Sequence, residues 1–304
     1  MAGELSKRIG EIGEDTVSIF LKLIGWGSPI KNFDLPCTNS QKHQCKTHGV
    51  DGYFHYKSPL IANTLENILI SVKYSSKNYG GNIISDFKNN YNDITSAIEC
   101  FKLSEIRNDT NNSYSDIQSV FDRGLIFKIN NSDDLDANII ERLSNIEVPY
   151  NNTHDGVVLI DNSRINYLYN AISFVKQEYC DSEVQFVYFN TGLNSNDQSV
   201  KSGSVLPFQY LASDIIPFRI QSTCGKITLL ICTRDKFSEE ELLKLLGLAK
   251  NSGLNLQQDT VIAFPDYNQL NHEHSVAKVI QMFKDDANFT LGISIKTFNR
   301  TFRQ

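Results

Sequence analysis

Two hydrophobic periods alternate along almost the whole chain: stretches in which apolar side chains recur every three or four residues, and short runs rich in Val, Ile and aromatic residues. A chain that keeps switching between these periods must pack helices onto sheets, so it reads as α/β. The first helical stretch runs from Leu5 to Gly25, where Leu5, Ile9, Ile12, Ile19 and Leu23 set a stripe that Val17, Phe20, Leu21 and Ile24 widen. Glu14 falls at the edge of that stripe, Gly10 and Gly13 thin the surface beside it, and Gly25-Trp26-Gly27 followed by Pro29 ends the helix. Strands are expected at Val50 to Tyr56 and Ile68 to Tyr74, a helix at Ile83 to Leu103, a polar loop at Asn108 to Asp116, a strand at Gly124 to Ile129 and a helix at Leu135 to Ile146.

The second half repeats the alternation. Strands are expected at 157–160, 184–189, 227–232, 260–264 and 289–296, with helices at 165–179, 238–250 and about 275–283. At 304 residues the chain is long enough for two ordinary domains. The seam is expected near Pro149 to Asp155, giving domains 1–152 and 153–304, the second a partner-binding or regulatory α/β domain. A polar loop rich in Asn and Ser is expected between Gly192 and Gly203, and no internal repeat is found.

Composition narrows the function. A net charge of −6 lacks the excess of Lys and Arg that gives general nucleic-acid binders their affinity, although the first third is nearly balanced and the acidic excess lies beyond it. No signal-like apolar segment or run of about 18 apolar residues occurs, so a cytoplasmic protein without a membrane anchor is expected. The six cysteines show no framework spacing, which favours reduced thiols. The chain has no Gly-x4-Gly-Lys-Ser/Thr, His-Glu-x-x-His, Gly-x-Ser-x-Gly or Gly-x-Gly-x-x-Gly, which argues against a nucleotide-driven motor or a common serine hydrolase. His272-Glu273-His274 sits in a polar run and receives no role.

What remains is an ordered set: Glu14 on the first helix, Asp51 in Gly49-Val50-Asp51-Gly52 at the start of a strand, and Lys73 in Ser71-Val72-Lys73 on the next. Alternation puts Asp51 with Tyr53 and His55, and Lys73 with Leu69 and Ser71, so antiparallel pairing in suitable register brings Asp51 and Lys73 to one side. Taken singly, Glu14 reads as a solvated helix charge and Asp51 equally as a turn residue or a functional one, while Lys73, on an otherwise apolar strand, is less easily read as a snorkelling edge lysine. Together their order resembles the PD-(D/E)xK nuclease superfamily, over about the first hundred residues.

That resemblance implies a restriction-endonuclease-like N-terminal core, a mixed sheet flanked by helices, followed by a second α/β domain. It also implies a metal-dependent DNA endonuclease using Mg²⁺ or Mn²⁺. Asp51, Glu14 and the Val72 carbonyl would be the metal ligands, and Lys73 would hold the attacking water and help it lose a proton. Ser71 stands where the family usually places Glu or Asp, and it supports the alternative of a catalytically inactive protein- or DNA-binding subunit. Phe54, His55, Tyr56, Tyr74 and Tyr79, with Lys57 and Lys77, offer stacking and phosphate contacts near the cleft, though core packing and strand preference account for aromatics there as well.

The opening Gly-Glu-Leu-Ser-Lys-Arg-Ile-Gly-Glu-Ile-Gly-Glu-Asp, the Gly25-Trp26 end, His48-Gly-Val-Asp-Gly-Tyr-Phe and Val72-Lys73-Tyr74 are similar to the nuclease subunit of two-gene GAPS-type bacterial abortive-infection systems. This implies an anti-phage toxin acting on DNA in a hetero-complex with the protein of the adjacent gene. Separately, the segment from Cys37 to His48 holds Cys37, His43, Cys45 and His48, ligand types that build tetrahedral zinc sites. Its spacing matches no common zinc module and favours buried thiols beside exposed histidines in a loop. Zinc held there would be structural, bracing the approach to Asp51.

Overall fold

In a computed structural model the chain divides into two compact units, 1–166 and 167–304. Residues 2–131, 134, 136–148, 151–194, 201–252 and 257–299 are described, and of these the side chains of all but 2–7 and 257. The expected seam at 152/153 lies inside the first unit.

The first unit opens with helix α1 (Ala2–Leu23). Its buried face is Gly13, Val17, Phe20, Leu21 and Ile24, whereas Ile12 and Ile19 are exposed. The inward face is therefore rotated from the stripe centred on Ile12 and Ile19. A 2.8 Å bond from the Trp26 N–H to the Leu21 carbonyl and a left-handed Gly25 (φ 82°) close the helix as a Schellman turn. Strand β1 (Ile30–Pro36), the short helix α2 (Ser40–His43), and strands β2 (Thr47–Lys57) and β3 (Thr64–Ser75) follow. Next come α3 (Ile83–Phe101), α4 (Glu105–Asn112), β4 (Ser119–Asn130), α5 (Ile140–Leu143) and β5 (Val157–Ile160).

Among the described residues, these strands form a sheet in the order β1-β2-β3-β4-β5. Strand β2 runs antiparallel to both β1 and β3, and β4 and β5 run parallel to β3. Side-chain alternation gives the sheet two dry faces. On one, Phe20 of α1 packs edge-on against Phe127 and Trp26 stacks on Phe54 at 5.0 Å. On the other, Ile94, Ala97, Ile98 and Phe101 of α3 cover Tyr53, Leu69 and Ile126. Gly124 passes beneath α3, where an added Cβ would lie 3.1 to 3.2 Å from Ile94, Ile98 and Val157.

Several sequence expectations change. The polar stretch expected as a loop from Asn108 contains much of α4, capped by the Ser104 hydroxyl. The helix expected from Leu135 to Ile146 shrinks to α5, and Leu135 itself lies outside the described residues. Helix α6 (Asn162–Glu178) carries the chain into the second unit.

The second unit contains β6 (Glu183–Val187), β7 (Ser202–Gly203), a 3₁₀ turn at Phe208–Ala212, β8 (Ile215–Gln221) and β9 (Ile227–Thr233). Helix α7 (Glu239–Lys250), β10 (Gln257–Phe264), α8 (Gln269–Gln281), α9 (Ala287–Leu291) and β11 (Ile293–Thr297) complete it. Its sheet runs β11-β10-β9-β8-β6-β7, with β9, β10 and β11 parallel. The strand expected from Phe289 starts only at Ile293, because Asp286 caps a helical turn first. Much of the loop expected between Gly192 and Gly203 lies outside the described residues. Both units therefore carry a sheet flanked by helices, an α/β core followed by a second α/β unit.

Candidate active site

The ladder between β2 and β3 runs from Lys57 opposite Leu65 to Gly52 opposite Ile70 and stops there. Beyond that point β3 continues to Ser75 paired only with β4. The Asp51 carboxylate stands in the opening, its Oδ2 accepting a 2.6 Å bond from the Val72 N–H. Val50 and Tyr53 both pack into the cluster beneath α3, so the alternation of faces along β2 slips by one residue between them. Directly opposite, β1 has Asn32 in left-handed backbone (φ 46°) between the pairs Lys31–Gly52 and Phe33–Val50. The slip leaves Asp51 accessible from both faces of the sheet.

On the α1 side, Asp51 shares a small pocket with Glu14, Lys31 and Val72. Glu14 is half-buried, and its Oε2 accepts a 2.8 Å bond from the Asn32 amide. Close packing brings it there: Gly13 lies so near Tyr74 of β3 that any Cβ on it would overlap the Tyr74 side chain. On the α3 side, Asp51 lines a cleft of about 420 Å³ together with Ser71 and Lys73. Lys73 is exposed there.

Burial pushes the Asp51 carboxyl above its usual range and the facing Glu14 pushes the same way, while the Val72 N–H and Lys73 pull it back. Glu14 and Lys73 thus each lie beside Asp51, on the α1 side and the α3 side of the sheet, with Val72 held by Asp51 and Ser71 on the cleft wall. Two facing carboxylates with a backbone carbonyl beside them form an all-oxygen donor set, which suits a hard divalent cation. The far wall of the cleft is α3, whose Asn92 and Asp93 face this space. Asp93 is a third carboxylate that sequence reading missed. Its signal was its position at the polar edge of an amphipathic helix, unremarkable until the strands are placed.

A sequence model of the GAPS4 protein PD-(D/E)XK nuclease domain matches residues 1–164. The chain belongs to this family. The match ends close to the boundary of the first compact unit and includes all of β1 to β5. Comparisons with curated proteins and with solved structures return no match. Among the described residues, no helix is long and apolar enough to cross a membrane.

The Cys/His segment also differs from the sequence reading. The side chains that converge are Cys37, His43, His48 and Cys100, whose candidate ligand atoms all lie within 4.8 Å of one another. Cys45 stands beside this group, its sulfur 3.7 Å from His48 Nδ1. Cys100, from the last turn of α3, is the member that no local spacing could reveal, and the six cysteines are unbridged.

Proposed function

We propose that the first unit is a metal-dependent DNA endonuclease that hydrolyses phosphodiester bonds as part of an anti-phage abortive-infection complex. The observation that supports this reading is the Asp51 carboxylate, standing where β2 and β3 part and shared between a pocket with Glu14 and a cleft with Lys73. The PD-(D/E)XK nucleases to which the chain belongs generally use Mg²⁺ or Mn²⁺. Such an ion, held by Asp51, Glu14 and the Val72 carbonyl, supplies charge to screen the phosphate and acidify a water.

The protein's own groups do the rest. The Val72 N–H fixes one Asp51 oxygen and leaves the other for a ligand. The Asn32 amide does the same for Glu14. Lys73, extending from the wall of the cleft, contacts the phosphate and orients the attacking water. Lys31 adds a second cation beside the carboxylates. The partner is the product of the adjacent gene, and the second unit, with its own sheet, is the natural place for partner binding or regulation.

Plasmid degradation with Mg²⁺ or Mn²⁺, by the full chain alone and with the adjacent gene product, tests the reading. Asp51→Ala and Lys73→Ala are each expected to slow cutting by about 10²–10⁴-fold while thermal melting stays unchanged. Cutting that survives both substitutions rejects this site. Ser71, a neutral residue at the usual acidic position, favours a second reading as a non-cutting DNA- or protein-binding subunit. Tight plasmid binding without degradation under every metal and partner condition establishes that alternative.

A further inference from the structure

We propose that Cys37, His43, His48 and Cys100 form a structural zinc site that ties the end of β1, helix α2 and the start of β2 to the last turn of α3. The geometry is that of a closed tetrahedron. With zinc–sulfur bonds of about 2.3 Å and zinc–nitrogen bonds of about 2.0–2.1 Å, tetrahedral angles place sulfurs about 3.8 Å apart and sulfur from nitrogen about 3.5 Å. The Cys37 and Cys100 sulfurs are 3.9 Å apart, and His43 Nδ1 lies 3.3 Å from the first and 3.5 Å from the second. The fourth corner is His48, whose ring meets that of His43 edge-on at 5.2 Å between centroids.

The surroundings complete the site. Cys100 and the His43 side chain are almost fully buried, at 1 % and 2 % exposure. The Thr38 N–H and hydroxyl both donate to the Cys100 sulfur at 3.3 Å, the arrangement a thiolate ligand needs. His43 Nε2 is buried without a hydrogen-bond partner and has Glu99 Oε2 at 3.7 Å. Ligation through Nδ1 leaves the ring proton on Nε2, facing that carboxylate. Four protein ligands fill the coordination shell, so the site braces the fold and has no position for substrate. The inference is independent of whether the neighbouring cleft cuts DNA.

The test uses the full chain, purified under reducing conditions without chelator. Elemental analysis is expected to find about one zinc per chain, and replacing zinc with Co²⁺ should give tetrahedral visible bands with a thiolate charge-transfer band. Cys37→Ser and Cys100→Ser should each halve that band or abolish it, and Cys45→Ser should leave it intact. Zinc below about a tenth per chain with no cobalt spectrum in the unsubstituted protein overturns the site, whatever the variants do. A Cys37–Cys100 disulfide in its place overturns it too. A band lost in Cys45→Ser but kept in Cys100→Ser overturns the ligand set.

Discussion

At the scale of single residues, the chemistry depends on where one backbone stops pairing. Asp51 reaches both faces because β2 slips at its position, and Ser71 sits on the cleft wall where an acid would add charge. Ser71→Glu is therefore expected to lower the Mn²⁺ concentration for half-maximal cutting by roughly tenfold, about 1.4 kcal/mol, measured by metal titration of plasmid cleavage. No change there would place Ser71 away from the ion. Glu14, Asp51 and Lys73 were legible as residues of the first helix and of two paired strands, because helix and strand periods fixed the order of those elements. Asp93 and Cys100 were not: both come from α3, and which residues a helix presents to a sheet depends on a crossing geometry that periodicity does not contain. The same limit explains Cys45, chosen over Cys100 because it was near in sequence, whereas Cys37 and Cys100 meet from 63 positions apart.

At the scale of elements, long apolar segments were readable and polar ones were not. Strand β1 was missed because only Leu35 of its seven residues is buried. Strand β8 was missed because Pro217 interrupts it, although it lies between β6 and β9. Helix α4 shows no apolar stripe, since its anchor is an arginine: Arg107 grips the 1 %-exposed Asp122 with Nε 3.0 Å from each carboxylate oxygen and a terminal nitrogen 2.9 Å from Oδ2. Arg107→Ala leaves that buried charge unpaired and should cost about 3–5 kcal/mol, read from urea denaturation. A loss within a few tenths of a kilocalorie would mean that α4 carries little of the unit's stability.

The contact between α1 and β3 is equally specific. Gly13→Ala forces the helix away from Tyr74 and is expected to cost about 1–3 kcal/mol, with a fall in cutting beyond that of Ala at Gly10, where an added Cβ meets nothing within 4 Å. Equal effects at the two glycines would detach Glu14's placement from this close approach.

At the scale of the whole molecule, half-buried histidines tie stability to pH. Burial lowers the pKa of His55 and of His154, whose rings meet the Tyr114 and Tyr91 hydroxyls at 2.8 Å. The unfolded chain then binds more protons once pH drops below the ordinary histidine value of about 6.5, so stability present above it is lost as pH falls through it toward the lowered values. Melting temperature should decline from pH 7.5 to 5.5, and His55→Gln with His154→Gln should flatten that decline; an equally steep profile would assign it to other groups. Chelation is a second global test. Brief EDTA treatment should stop plasmid cutting and excess Mg²⁺ restore it, while cutting that persists in EDTA would exclude an exchangeable ion.

The left-handed Asn32 and terminal Pro36 lie on β1, the outermost strand of the first sheet, and the opposite border is the four-residue β5. Neither margin offers a straight row of amides to another molecule, which guards concentrated protein against fibril growth through this sheet.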